Sequence, residues 1–326
     1  MTLYIFRRIL NIIPTLLIAT FLAWFIIDIA PGDFASQFAQ DQRDPNREQR
    51  IRESMGLDQP MVIRYVYWLR NVFRGDLGQS LESKNSVTPI ILPRMQNSLL
   101  LALPATILAY LIAIPLGIYS ALHKYSWADR FLTVFSLIGI AIPSFFMGLI
   151  VVALLVQWFQ STGWFLLPVG GMTSNNYSSL SPVGKFFDVL WHLIAPLFIV
   201  TFASLAGISR FMRGQMLEEI NQDYVRTARA KGLPERKVNY KHAFRNAIIV
   251  IVATIGGILP DVLGGAGLIE YVTRWPGLTP KLLEASASQD VYVLMAILTI
   301  LTFLLVIGNL ISDIALAVID PRIRYS

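Results

Sequence analysis

Long apolar runs alternate with short polar segments along the whole chain, and this pattern predicts a helical membrane protein. Six runs approach or exceed the roughly 20 residues that an α-helix needs to cross the hydrocarbon core of a bilayer. They cover residues 9–29, 97–122, 131–158, 191–207, 247–268 and 291–319. The sequence therefore predicts an all-α integral membrane protein with six transmembrane helices.

The first run follows Arg7 and Arg8, as the apolar part of a secretory signal would. Its apolar stretch is longer than the roughly 7 to 15 residues of such signals, and Pro31-Gly32-Asp33 occupies the place of a small-residue cleavage site. We therefore interpret residues 1–30 as a retained transmembrane helix.

Lys and Arg are unevenly distributed among the segments between the runs. Nine lie in residues 208–246, and two lie in each of the segments 1–8, 123–130 and 320–326, whereas the short loops 159–190 and 269–290 hold one and two. Basic residues in short loops mark the cytoplasmic side. Residues 31–96 hold nine basic and eight acidic residues, and a loop of about 60 residues has little influence on topology. The count predicts that both termini and residues 208–246 are cytoplasmic and that residues 31–96 lie outside.

Composition excludes several classes of protein. Apolar residues make up 55% of the chain and charged residues 15%, which excludes a soluble enzyme. The chain has no Cys and three His, so we expect no disulfide, no metal site and no cofactor. The pair Gly184-Lys185 is followed by Phe186, so no phosphate-binding loop of the P-loop type is present. We expect a non-catalytic protein that does not bind nucleic acid.

Residues 31–96 contain helix-compatible stretches with Tyr65, Tyr67 and Trp68, followed by turn signals at Gly75-Asp76 and Gly78. This combination predicts a small folded cap on the outer side. We favour a structural lid over a ligand-binding cap.

The cytoplasmic segment contains a predicted helical corner. Asp223 is placed to cap a helix from Tyr224 to Lys231, Gly232 suits its left-handed end, and Pro234 can open a second short helix. Such a corner would expose apolar groups among basic residues, namely Tyr224, Val225, Ala228 and Leu233. Either a protein partner or anionic lipid headgroups would suit this surface.

Polar and small residues within the apolar runs are candidates for the translocation path, for helix distortion or for close helix packing. Asp261 and Asp313 are candidates for the translocation path, because a carboxylate in hydrocarbon is costly, although each can instead bond a neighbouring helix. Gly256-Gly257 and Pro260 can bend or break the fifth helix. Ala203 and Gly207, four residues apart, provide a small face that we interpret as a helix-packing surface.

Four stretches resemble the permease subunits of the dipeptide, oligopeptide and nickel branch of ABC importers. They are Phe6-Arg7-Arg8-Ile9-Leu10 with Ile13-Pro14-Thr15 and Pro31-Gly32-Asp33; Met55-Gly56-Leu57-Asp58-Gln59-Pro60 with Gly75-Asp76-Leu77-Gly78-Gln79-Ser80; Asp223 to Gly232 with His242-Ala243-Phe244-Arg245-Asn246-Ala247; and Trp275-Pro276-Gly277-Leu278. Arg226 stands where the general ABC-importer loop has Glu, and the terminal Pro of that loop is missing. Both departures resemble the version found in the peptide branch.

The resemblance implies an ABC-importer permease fold with an outer cap at residues 31–96 and a five-helix core at residues 97–326. It also implies a coupling helix that docks on a cytoplasmic ATPase, formed by Tyr224, Val225, Arg226, Thr227, Ala228, Arg229, Ala230, Lys231, Gly232, Leu233 and Pro234. The implied partners are a second homologous permease subunit, two ATPase subunits and an extracytoplasmic substrate-binding protein. We expect Trp275, Pro276 and Gly277 to form a re-entrant or surface turn over the outer mouth of the pore, with Trp275 at the interface.

Two other classes remain open at this point. A secondary transporter would use buried ionisable groups and internal repeats, and an assembly protein would show no solute flux. The importer branch handles peptides, nickel chelates and, in some members, sugars, so the resemblance does not name the solute. It implies the plasma membrane of a bacterium or archaeon.

Overall fold

The computed structural model describes residues 2–29, 49, 52–53 and 57–319, with the backbone alone at residues 2–7, 9, 255–265 and 319. This part of the chain contains eleven α-helices, which confirms the predicted all-α class. They are α1 (Thr2–Ile29), α2 (Met61–Val72), α3 (Thr88–Leu122), α4 (Trp127–Ala141), α5 (Ser144–Thr162), α6 (Pro182–Ile220), α7 (Asp223–Ala230), α8 (Glu235–Lys237), α9 (Phe244–Val272), α10 (Leu278–Ala287) and α11 (Val291–Ile319). A wide helical turn of the π type, Val238–Ala243, joins α8 to α9.

Five segments of the described chain are long and apolar enough to cross a membrane. They are Leu10–Ile29, Thr88–Leu122, Ser144–Thr162, Pro182–Ile220 and Val291–Val318. The predicted run 247–268 lies within α9, a helix of 29 residues. Of the alternatives left open for this span, a break does not occur, because α9 continues through Gly256, Gly257 and Pro260. Inside a membrane, neighbouring helices and local adjustments restore the hydrogen bonds that Pro and Gly disturb.

The third predicted span, 131–158, is not one continuous helix. It consists of α4 and α5, which meet at Ile142 and Pro143. Ile142 adopts an extended backbone with φ −86° and ψ 119°, because the proline ring disfavours the helical conformation in the residue before it. The sequence contains this proline signal, but the residues on both sides of Pro143 are apolar, so the apolar pattern predicts a single span over 131–158.

Helix α6 is much longer than the predicted span 191–207. It has 39 residues, or roughly 58 Å at 1.5 Å per residue, against a hydrocarbon thickness of about 30 Å. Ser181 caps its first turn by accepting a hydrogen bond from Gly184 N at 3.2 Å. The helix therefore extends beyond the bilayer and carries the chain away from the membrane surface.

Helices α3 and α6 form the central pair of the fold. They approach closely at Gly117, where a Cβ would overlap Met212 and the carbonyl of Ser209. Gly139 of α4 allows a similar approach to Ala206 on another face of α6. Small residues thus hold the bundle together at positions other than Gly207.

Residues 57–87 of the cap are fixed to neighbouring helices. Trp24 of α1 is buried against Tyr65 and Trp68 of α2. Arg64 forms an ion pair with Asp28 at the end of α1. On the other side, Ser80 Oγ donates to Asp290 Oδ2 at 2.5 Å, next to the start of α11.

Candidate functional site

A sharp corner follows α7. Lys231 ends the helix and Gly232 adopts a left-handed backbone with φ +73°. Gly232 N donates to Arg229 O at 2.9 Å and Leu233 N to Ala228 O at 3.4 Å, which is the hydrogen-bond pattern of a Schellman C-cap. Gly232 therefore sets the direction in which the chain leaves α7.

The start of this corner differs from the prediction. Asp223 is the first helical residue and Gln222 occupies the N-cap without a side-chain hydrogen bond. Beyond Pro234, the second helix does not end after a few residues. It continues from Glu235 through the π turn into α9, so α7 is linked directly to a membrane helix.

One face of α7 is buried in the chain's own core. Val225 and Ala228 pack with Met212 and Met216 of α6 and with Val238 of the π turn. The expectation that Val225 and Ala228 are exposed is wrong, because the neighbouring helix ends cover them. This packing fixes the rotation of α7, and the opposite face stays in solvent with Arg226, Thr227, Arg229, Ala230 and Lys231.

The exposed side of the corner is basic. Residues 223–245 contain seven Lys or Arg and two acidic residues. Arg229 Nε lies 3.0 Å from Glu235 Oε1, on the other side of Gly232. Tyr224 donates to the Glu219 carboxylate, and burial together with this contact raises the pKa of Tyr224 to about 12. The phenol therefore keeps its proton at physiological pH.

An ion pair between a buried carboxylate and a partly exposed arginine fixes α6 on the same side of the molecule, and the sequence analysis missed it. Arg213 of α6 donates to both carboxylate oxygens of Asp129, at 2.7 Å and 3.0 Å. Ser120 and the backbone N–H of Tyr125 also donate to Asp129. Chiefly because of Arg213, the pKa of Asp129 lies well below its usual range. The spacing Ser126-x-x-Asp129 is a capping signal that places Asp129 in a first helical turn, but no local pattern reveals Arg213.

The turn at Trp275, Pro276 and Gly277 is present, but its predicted surface position is wrong for Trp275. That side chain is fully buried. Its Nε1 donates to Asn97 O at 2.8 Å, and Asn97 Nδ2 donates to Pro276 O at 3.0 Å. An indole can be buried when its N–H finds an acceptor, and here the acceptor lies on α3.

Glu270, which the sequence analysis also missed, occupies the centre of this turn. Its carboxylate accepts from Ser98 Oγ at 2.5 Å and from Thr279 N, in the first turn of α10, at 3.0 Å. Ser98 Oγ in turn accepts from Leu278 N at 2.8 Å. A Cβ on Gly277 would overlap the carboxylate of Glu270. The turn is therefore built around a buried carboxylate that joins α3, α9 and α10.

The two predicted pore residues have different outcomes. Asp313 Oδ2 lies 3.0 Å from Arg8 Nη1, so it pairs with α1. The side chain of Asp261 lies outside the described part of the chain. A role in the pore stays a prediction for both residues.

An open cavity of about 430 Å³ lies between α3, α5, α6 and α9. Ala203 and Gly207 of α6 line it, together with Thr106 and Ser204. The interpretation of Ala203 and Gly207 as a helix-packing face is therefore wrong. The close contacts of α6 lie at Ala206, Ser209 and Met212 instead.

Comparison with known proteins assigns the family. The family model described as binding-protein-dependent transport system inner membrane component matches residues 113–325, and the model of its N-terminal component matches residues 1–102.

Similar proteins match over their full length. The oligopeptide transport system permease protein AppB of Bacillus subtilis (strain 168) is 40% identical over 326 residues, covering 100% of both chains. The dipeptide transport system permease protein DppB of Escherichia coli (strain K12) is 32% identical, covering 99% of this chain and 98% of its own. This chain belongs to the binding-protein-dependent inner membrane transport components.

Members of this family are non-catalytic, multi-pass components of the inner membrane. Their transport systems depend on a binding protein and an ATPase, which are separate partners. The resemblance to ABC-importer permeases is thereby confirmed. The two family models meet within α3, between residues 102 and 113, so the helix that supports the outer turn also joins the N-terminal component to the core.

Proposed function

We propose that the chain is one of two homologous permease subunits that together form the pore of an ABC importer for peptides. The observation that carries this proposal is the full-length similarity to AppB and DppB, whose names specify oligopeptide and dipeptide transport. The remaining partners are two cytoplasmic ATPase subunits and an extracytoplasmic substrate-binding protein.

In this proposal the chain crosses the membrane six times. The third crossing consists of α4 and α5 together and the fifth of α9, while each of the other four corresponds to one of α1, α3, α6 and α11. Both termini and residues 208–246 are cytoplasmic, and residues 31–96 lie outside. The distribution of Lys and Arg among the short loops supports this orientation.

The role of α7 is to dock on the ATPase and transmit its movement. Three features support this role: the buried face that fixes α7 on α6, the basic exposed face, and the Gly232 corner that leads into α9. The lipid alternative is less favourable. The apolar residues Val225 and Ala228 of α7 are buried in the chain's own core, so they are not available to the acyl boundary in which an interfacial helix buries its apolar face.

The turn around Glu270 is proposed to form the outer gate. It connects α9, a wall of the cavity, to α10 and to the start of α3. A movement of α9 would therefore displace Trp275, Pro276 and Gly277 together.

The proposal is tested by purifying a tagged copy of the chain from cells that also express the ATPase, binding protein and second permease of its transport system. We expect all subunits to co-purify and radiolabelled dipeptides to accumulate only when the ATPase is active. Accumulation by this chain without any ATPase would instead identify a secondary transporter. Normal membrane level without flux or stimulated ATP hydrolysis would identify an assembly protein.

A further inference from the structure

The cavity between α3, α5, α6 and α9 has the dimensions of a ligand site. Its volume is about 430 Å³, and small-molecule sites in proteins span roughly 300 to 1,000 Å³. The cavity is open on one side, as expected for one half of a path whose other half belongs to a second subunit.

The lining is mainly apolar and, among the described residues, uncharged, but it contains several hydroxyl groups. Five described lining residues carry a hydroxyl group: Thr106, Tyr110, Ser144, Ser204 and Thr254. No Asp, Glu, Lys, Arg or His is found among the lining residues that the structure describes. A hydroxyl both donates and accepts hydrogen bonds, so this surface can pair with the N–H and the C=O groups of a solute.

Three of these hydroxyl groups have no partner within the described chain. Thr106, Ser144 and Ser204 make no hydrogen bond to another described residue. Elsewhere in the same bundle, hydroxyls on membrane helices donate to the carbonyl four residues earlier, as Thr15, Thr20 and Thr302 do at 2.7–2.8 Å. These three half-buried hydroxyls line the open cavity and can donate to or accept from a solute there.

Small residues keep the cavity open. Ala109, Ala203, Gly207 and Ala266 contribute to its walls. A Cβ added at Gly207 would meet no atom within 4 Å, in contrast to Gly117 and Gly139 in the tight helix contacts. Glycine at position 207 is therefore not required by close packing against a described neighbour. The space beside it is open to an occupant of the cavity.

We propose that this cavity binds the main chain of a short extended peptide during its passage, through hydroxyl hydrogen bonds that do not depend on the charge of the peptide's side chains. This inference rests on the proposed function, and it specifies which groups of the protein would bind the peptide on its way through the pore. A peptide presents an N–H and a C=O group at every residue other than proline, and the hydroxyls match both.

The first test fills the cavity without disturbing the fold. Gly207→Trp places an indole in open space, and Gly214→Trp is the matched control, because Gly214 lies seven residues further on the same face of α6, also has no neighbour within 4 Å, and does not line the cavity. We expect Gly207→Trp to lower dipeptide uptake by about tenfold or more, with unchanged membrane level and ATPase co-purification. Gly214→Trp should retain uptake. Normal uptake by Gly207→Trp would overturn the proposal.

The second test measures occupancy directly in the Cys-free chain. Ser204→Cys is labelled with a small methanethiosulfonate reagent in the assembled transporter, with Ser179→Cys in the outer loop as control. Saturating dipeptide should slow labelling at Ser204→Cys only, to a similar extent for acidic, basic and neutral dipeptides. Lack of protection, protection that follows side-chain charge, or protection by a nickel chelate or sugar in place of peptide would overturn the proposal. Absence of peptide uptake by the unmodified transporter would count against the proposed function instead.

Discussion

Arg229 and Glu235 form an ion pair of 3.0 Å on opposite sides of the corner at Gly232. Both side chains are partly exposed, at 37% and 64%, and exposed pairs contribute about 0 to 1 kcal/mol to stability. The pair therefore matters mainly for the angle between α7 and α8. A small free energy suffices to favour one angle when the surrounding backbone is already held by a C-cap.

We predict that reversing one charge of the Arg229–Glu235 pair weakens binding of the ATPase. Glu235→Arg should weaken ATPase co-purification severalfold and leave the free energy of unfolding of the purified protein within about 1 kcal/mol of the parent. The double variant Arg229→Glu with Glu235→Arg should recover part of the binding, because it restores the attraction. Equal binding in the parent and in both variants would show that this angle has no role in docking.

Gly232→Asp should separate docking from folding. A non-glycine residue at φ +73° costs about 1 kcal/mol, too little to unfold the bundle. We expect normal membrane level, loss of ATPase co-purification and loss of uptake. The control is Gly163→Asp at the end of α5, since Gly163 also has φ +73° and no neighbour within 4 Å but is predicted to lie outside. Full uptake by a well-expressed Gly232→Asp variant would refute the coupling role.

Topology can be checked by labelling single cysteines with an impermeant maleimide. Ser80 is unsuitable because it is buried, whereas Ser83 and Ala230 are exposed. We expect Ser83→Cys to react in intact cells and Ala230→Cys to react only after the cells are opened. The reverse order would invert the proposed orientation.

Gly277→Ala should disturb the outer turn. The added Cβ overlaps the Glu270 carboxylate, and such overpacking costs typically 1–3 kcal/mol. We expect altered basal ATPase activity or uptake at normal subunit assembly. Gly214→Ala, which adds the same atom in open space, should behave like the parent. Unchanged activity in a well-assembled Gly277→Ala variant would indicate a plain connecting loop.

Asp129→Asn should destabilise the end of the bundle that carries α7. The Arg213 side chain is 25% exposed, so losing its hydrogen bonds to the buried carboxylate should cost roughly 1.5–3 kcal/mol. Asp223→Asn at an exposed position serves as control. Because the pKa of Asp129 is lowered in the folded state, its contribution is present above the ordinary carboxyl range and is lost only as the pH falls through the folded-state pKa. The stability difference between parent and Asp129→Asn should therefore be constant from about pH 5 to 8, as measured by thermal unfolding in detergent. A difference that changes within this range would argue against the pair.

The sequence predicts those features that depend on local chemistry. The locations of the membrane helices follow from apolar runs that are long enough to span a bilayer. The corner after α7 follows from the preference of glycine for the left-handed backbone that Gly232 adopts. The features it missed depend on contacts distant in the chain. Trp275 is buried because Asn97 accepts its N–H, and Val225 is covered because Met212 and Met216 lie beside it. Neither neighbour is visible in a local pattern.

The length of α6 beyond the membrane has a mechanical consequence. From Phe211 at the cavity to Ile220 beside α7 the helix runs nine residues, roughly 14 Å. The chain then returns through Gly232 and the π turn into α9, which forms another wall of the same cavity. If α7 receives the movement of an ATPase as proposed, its displacement would shift α6 and α9, two walls of the cavity, at the same time.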